Sequence, residues 1–192
     1  MHDSADKRRA YFSYLTRRRR ISLAVRRTFF RDTARHFHGR VLDVGCGIGE
    51  FLGLYEASTG VDPNPLLAFE CRRQGRQVCI GVAESLPFAG RSFDGVLLSN
   101  VLEHLDNPEA AVREGARVLR AGGVMVITVP MRAGFRHDAT HVRMITADDI
   151  RILAQGAGLR IERLYRYPLK SRWASERLYF CELRAVLVRD AA

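Results

Sequence analysis

The chain reads as an α/β protein built on a mostly parallel sheet with helices on both faces, and three observations predict this. From Arg40 onward short apolar runs alternate with helical patterns, as right-handed strand–helix–strand crossovers require. The run Val41-Leu42-Asp43-Val44-Gly45-Cys46-Gly47-Ile48-Gly49-Glu50 passes from an apolar strand straight into a glycine-rich turn. Glycine there lets the backbone turn tightly and approach a ligand with no Cβ in the way. A second acid, Asp62, closes another apolar stretch, Thr59-Gly60-Val61. It lies about 20 residues after the first strand, where a nucleotide-binding fold places its ribose-binding carboxylate.

Each element follows from local pattern. Residues 4 to 37 contain neither proline nor glycine, and Ile21, Val25 and Phe29 recur at helical spacing among arginines that include Arg17 to Arg20. One or two amphipathic helices are expected over 1–38. They would pack an apolar side on the core, act as a lid over a substrate site, or meet an anionic surface. Strands are expected at 40–44, 58–62, 77–82, 94–99 and 123–129, and helices at 48–56, 64–74, 107–120 and 146–156. Asn107-Pro108-Glu109 starts a helix with a cap, a proline at the first position and an early acid. Gly122-Gly123 precedes a buried strand, and Gly156 and Gly158 close a helix. Segments 159–167 and 177–188, rich in Leu, Tyr, Phe and Val, read as a hairpin-like pair. The expected organisation is a helical cover (1–38) on a ligand-binding domain (39–192), one domain in all.

Composition narrows the function classes. No run of about 18 apolar residues is present, so no membrane span is expected. The early residues lead to Arg17-Arg18-Arg19-Arg20 and not to an apolar signal core, so a cytoplasmic location is expected. Cys46, Cys71, Cys79 and Cys181 lack zinc spacing and read as free thiols. The net charge of +10 invites an RNA or anionic-membrane partner. However, lysine occurs only at Lys7 and Lys170, and an arginine bias of this kind also arises from base composition and solvated surface.

The wording of the blocks is more specific than their spacing. Asp43-Val44-Gly45-Cys46-Gly47-Ile48-Gly49 resembles motif I of class I S-adenosylmethionine (SAM) methyltransferases. The resemblance continues through Gly60 to Pro65, Ala83 to Phe88, Ser92-Phe93-Asp94, Ser99 to Leu105 and Arg117 to Gly123, all in order across residues 40 to 130. Its nearest likeness is to the small-molecule and glycan-modifying branch. It implies a Rossmann-like seven-stranded sheet with a reversed last strand, SAM as cofactor and S-adenosylhomocysteine as product. By the same resemblance Gly45, Cys46, Gly47 and Gly49 line the methionine and ribose part of the cofactor. Asp43 orients its amino group and Asp62, followed by Pro63, accepts from the ribose hydroxyls. Where many relatives have an acid that holds the adenine amino group, this chain has Val82, so that contact falls to Ala83 and Glu84. Leu66 is a candidate apolar wall beneath the adenine. Asn100 and Val101 belong to the loop after the fourth strand, which flanks the same crevice as the first strand's loop. The plainer readings are that Asp43 stabilises its loop and that Asp62 is a turn residue before Pro63.

Methyl transfer to a hydroxyl calls for a base or a positioning group. The loop Pro130 to Arg143 carries His137, Asp138 and His141, follows a strand end, and resembles the Asp-x-Thr-His-Val block of some sugar and polysaccharide methyltransferases. His141, helped by His137 or Asp138, is the candidate that handles the acceptor hydroxyl; the alternative is that these groups brace the loop. Glu103-His104 reads as cofactor-loop packing. It also partly matches the metal site of small-RNA 2′-O-methyltransferases, a Glu-x-x-Glu-His run with a distant His, here with His137 and His141 further on; but Asn100 stands in place of the first acid, and no metal is expected. The expected partner is a small-molecule, lipid-linked sugar or glycan acceptor. The rivals are an RNA methyltransferase, opposed by the lack of a recognisable RNA-binding module, and a non-catalytic SAM-binding protein. Acceptor contacts are expected from the N-terminal helix, the 130–146 loop and the segment around Pro168 to Trp173.

Overall fold

The computed structural model describes residues 2–16 and 20–191. Of the expected arginine run, Arg17 to Arg19 lie outside the described residues, as do the side chains of Arg20 and Ile21. Helices α1 (His2–Thr16) and α2 (Arg20–Ala34) lead into β1 (Val41–Val44) and β2 (Ser58–Asp62). Then come α3 (Pro65–Arg73), β3 (Val78–Ile80), β4 (Phe93–Ser99) and a single 3-10 turn, Leu102–His104. After these run α4 (Pro108–Val118), β5 (Leu119–Pro130), α5 (Arg132–Phe135), α6 (Ala147–Gly156), β6 (Arg160–Tyr167), α7 (Arg172–Ser175) and β7 (Glu182–Val188).

The described strands form one seven-stranded sheet in the order β3-β2-β1-β4-β5-β7-β6. β1 to β5 pair in parallel, whereas β7 inserts antiparallel between β5 and β6. The expected mostly parallel sheet with a reversed last strand is therefore observed. Alternation along the strands supplies both faces. Leu42, Val44, Val96, Leu98, Met125 and Ile127 pack into one cluster with Val112 of α4 and Ile150 of α6. Val41, Leu97 and Val126 point the other way, onto Phe30, Phe37 and Phe51. Gly95 of β4 has no room for a side chain, because a Cβ there would lie 2.5 Å from the Phe37 ring.

Helix starts obey the capping logic. Asn107 accepts from the Ala110 amide at 3.0 Å, with Pro108 opening α4. Thr146 and Asp149 form a reciprocal capping box on α6.

Three expectations need correction. Residues 48–56 are consecutive turns and not a helix: Gly49 sits at φ +73°, and the bonds mix i→i+4 (Gly53 to Gly49, 3.0 Å) with i→i+3 (Leu54 to Phe51, 2.9 Å). β5 begins at Leu119, and inside that strand Gly122, at φ +74°, donates to the Arg189 carbonyl at 2.7 Å while Gly123 accepts from the Arg189 amide at 3.0 Å. Of the expected strand 177–188, only Glu182–Val188 is β, and residues 178–181 turn towards the functional crevice.

Candidate active site

The carboxyl ends of β1, β4 and β5 open onto one crevice with two compartments, which share Tyr11, Gly45, Asn100 and His104 in their walls. The first has a volume of about 480 Å³ and is walled by Asp62, Pro63, Val82, Ala83, Glu84 and Val101. The second, about 230 Å³, is walled by Asp43, Cys46, Gly47, His137, Asp138 and His141, among others.

The glycine loop is built for close approach. Gly45 and Gly47 stand at φ +69° and +56°, in the left-handed region where a side chain is strained. At Gly45 a Cβ would lie 2.7 Å from Val101 Cγ2. Asp62 ties the loop down: Oδ2 accepts from the Gly47 amide at 2.9 Å and Oδ1 from the Asn64 amide at 2.8 Å. So the turn role and the cavity-lining role belong to one residue. Burial raises the Asp62 pKa, against the pull of the two amides. Asp43 is buried beside it; burial first, then the Asp62 charge, pushes its carboxyl well above the usual range. Opposite, Asn100 holds φ +53°, a conformation rare for a non-glycine residue and common where a ligand is met.

Two expected cofactor contacts stand elsewhere. Gly49 walls neither compartment; it lies behind the loop, where a Cβ would come 2.6 Å from Arg76 and 2.9 Å from the Cys71 sulfur. Leu66 is partly exposed and also walls neither. Cys46 does line the crevice, but its thiol is held protonated by its bond to Cys71 and by burial.

The smaller compartment ends in a cluster of titratable groups. His141 and His104 approach edge to face, with ring centroids 4.7 Å apart. His141 Nδ1 lies 2.8 Å from the Phe135 carbonyl oxygen. Asp138 Oδ1 accepts from the Thr140 amide (2.9 Å) and hydroxyl (2.6 Å), which hold its pKa low despite burial. Burial, then the neighbouring His141, lowers the His104 pKa. Glu103 is fully buried, and burial raises its pKa to about 8. His137 leans on the Tyr179 ring at 5.4 Å, so the three residues expected to act on the acceptor do meet at this cavity.

Both N-terminal helices contribute walls to the crevice. Asn64 Nδ2 donates to the Arg8 carbonyl at 3.1 Å, holding α1 over the larger compartment, whose wall includes Arg8 and Tyr11. In α2, Val25, Arg26 and Phe29 face the smaller compartment, with Arg26 paired to Glu50 at 2.7 Å. The same helix also packs on the core: Phe30 is buried against Phe51, and Asp32 pairs with the buried Arg184 at 2.6 Å. Sequence reasoning missed Tyr179, Phe180 and Glu182 as cavity walls. It placed that contribution around Pro168 to Trp173, of which the described side chains wall neither compartment. Only their place next to a strand that returns beside β5 could have indicated them.

Residues 42–127 match the methyltransferase domain family. The match spans 86 of the 192 residues and likens this segment of the chain to methyltransferase domains. It is 36% identical over 97 residues to an uncharacterized protein of Methanocaldococcus jannaschii, covering 50% of this chain and 47% of that protein. A tRNA (carboxymethyluridine(34)-5-O)-methyltransferase of Arabidopsis thaliana is 34% identical over 46% of this chain and 23% of its own length. A ubiquinone biosynthesis O-methyltransferase of Parvibaculum lavamentivorans is 27% identical over 72% of this chain and 66% of its own. The chain thus spans about half or less of the first curated relatives it matches. In fold it resembles a SAM-dependent methyltransferase of Archaeoglobus fulgidus, with a TM-score of 0.72, 22% identity and coverage of 88% and 94% of the two chains. SAM is the cofactor of this domain family. The crevice offers features that fit it: open backbone at Gly45 and Gly47, the buried acids Asp43 and Asp62, and a larger compartment with mostly apolar walls.

Proposed function

We propose that the chain transfers a methyl group from SAM to a hydroxyl of a small molecule, a lipid-linked sugar or a glycan. The observation that carries this reading is the cluster of His141, His104 and Asp138 in the wall of a cavity that the glycine loop also lines. SAM, when bound, supplies a methyl group ready for in-line displacement. The chain's task is then alignment, exclusion of water and handling of one proton.

Asp62 accepts from the ribose hydroxyls with lone pairs not used by Gly47 and Asn64, and Asp43 meets the amino group. Ala83 and Glu84 face the adenine, and Asn100 and Val101 close the opposite wall. Residues 1–38 act as the cover. In the neutral ring, His141 Nδ1 donates to the Phe135 carbonyl, which leaves the Nε2 lone pair for the acceptor hydroxyl; His137 and Asp138 shape the approach. The O-methyltransferase relative supports an oxygen acceptor.

An RNA acceptor is the second reading, favoured by the net charge of +10 and by the tRNA-modifying relative. It predicts binding that weakens steeply with salt. Substituting His141→Ala tests the main reading. S-adenosylhomocysteine affinity should hold and turnover from methyl-labelled SAM should vanish; unchanged turnover would remove His141 from the reaction.

A further inference from the structure

Among the described residues, Glu103 has both carboxylate oxygens buried and unpartnered, and the residue is 0% exposed. A carboxylate taken out of water without a donor is costly, and such groups are normally paired or bound to a cation. Its Oε1 lies 3.9 Å from His141 Nε2. One ligand atom each from Glu103, His104 and His141 fall within 4.8 Å of one another.

The hydrogen bonds around the two rings decide which nitrogens are free. The Phe135 carbonyl can only accept, so His141 Nδ1 carries the hydrogen and Nε2 the lone pair. His104 Nδ1 faces the Thr140 carbonyl at 3.2 Å and the Thr140 hydroxyl oxygen at 3.1 Å. That hydroxyl gives its own proton to Asp138 Oδ1 at 2.6 Å, so it accepts from His104 as well. His104 therefore also keeps its lone pair on Nε2. Both imidazoles are fixed by an Nδ1–H bond to the chain, the outer-shell arrangement found behind histidines that bind metals.

From this geometry we propose that Glu103, His104 and His141 form a binding site for a divalent first-row transition metal ion, with the Thr140–Asp138 pair as the positioning group behind His104. Two imidazoles and one carboxylate favour zinc, cobalt or iron over magnesium or calcium, which prefer oxygen ligands. Three protein ligands leave positions open, and the cluster borders the smaller compartment, so the ion would hold an acceptor oxygen there. Donors around a tetrahedral zinc stand about 3.4 Å apart, so the cluster closes by roughly 1 Å on binding. The role in acceptor binding rests on the hydroxyl-acceptor reading above, with His141 then serving as a ligand in place of a base; the site itself does not.

The test uses the full chain, stripped with a chelator and titrated with Zn²⁺ by calorimetry and with Co²⁺ by visible absorption. One equivalent should bind, and Co²⁺ should develop the bands of a four- or five-coordinate nitrogen–oxygen site. Glu103→Gln keeps the shape and removes the charge; it should weaken Zn²⁺ at least about 100-fold, with S-adenosylhomocysteine affinity unchanged as the check on folding. Thr140→Val should weaken Zn²⁺ about 10- to 100-fold through the orientation of His104. Substoichiometric binding by the parent chain, or equal Zn²⁺ affinity in the Glu103→Gln chain, overturns the site. Methyl transfer by the stripped chain would overturn the metal's role and leave the hydroxyl reading standing. Stoichiometric metal without methyl transfer to any hydroxyl compound would support the site and count against that reading.

Discussion

Replacing Asp62 by Asn separates the loop's architecture from its ligand chemistry. Both carboxylate oxygens accept backbone bonds, from Gly47 at 2.9 Å and from Asn64 at 2.8 Å. The amide keeps one acceptor and turns an NH₂ group towards the other N–H, which costs about 1–3 kcal/mol if that donor goes unsatisfied. Against this, burial raises the Asp62 pKa, so ionisation of the carboxylate in the folded free protein carries a penalty that Asn removes. The two effects oppose, and the free protein should lose little stability. Binding has no such compensation. A carboxylate can accept from both ribose hydroxyls, whereas the amide oxygen serves one of them beside its backbone bond. Loss of one charge-assisted bond, about 1.5–3 kcal/mol, weakens the ligand about 10- to 150-fold. Calorimetric titration with S-adenosylhomocysteine measures this directly, with thermal denaturation of the free protein as the control. Undiminished affinity in a folded Asp62→Asn chain would refute the ribose assignment.

Other substitutions address separate parts of the account. Gly45→Ala places a Cβ 2.7 Å from Val101 Cγ2 at φ +69°. Left-handed strain of about 1–2 kcal/mol and crowding of about 1–3 kcal/mol should appear together in urea unfolding; a change under about 1 kcal/mol contradicts the loop geometry. The raised Asp43 pKa means the folded chain holds this proton to higher pH than the unfolded chain does. Stability from Asp43 is therefore full below the unfolded pKa and declines as pH rises through the folded one. Asp43→Asn should flatten that decline, stabilise the free protein at neutral pH and weaken S-adenosylhomocysteine; melting curves from about pH 4 to pH 8 with and without ligand check all three. Arg184→Met strips a fully buried guanidinium from Asp32 and Glu182 and should cost about 3–5 kcal/mol of unfolding free energy. A neutral result would mean the three charges are not one network.

Residues 41–62 were legible because two physical constraints coincide there. Parallel strands buried on both faces must be continuously apolar, and the turn leaving the first must bend without a Cβ. Residues 48–56 misled because Phe51, Leu52 and Tyr55 keep helical spacing, while left-handed Gly49 takes the backbone out of the helical region. The 130–143 loop was readable as a site because a strand end fixes its position and its side chains are titratable. For Glu103 the sequence offered loop packing and, with Asn100 in place of the first acid, a partial match to a metal-binding run, but not the neighbours that surround it. Its role depends on Val142 and Arg143 returning to bond its carbonyl at 2.9 and 3.3 Å, which folds the loop over it and brings His141 alongside. The aromatic wall from Tyr179 and Phe180 likewise follows from the place of β7 between β5 and β6, a long-range fact with no local pattern.

The most direct test of methyl transfer to a hydroxyl acceptor is incubation of the protein with methyl-labelled SAM and fractionated cell extract, followed by counting label in RNA, protein, lipid, polysaccharide and small-molecule fractions. The account predicts label in the small-molecule, lipid-linked or polysaccharide fraction, absent when His141→Ala replaces the parent chain. Nuclease-sensitive label, or no label anywhere while S-adenosylhomocysteine binds normally, would contradict it.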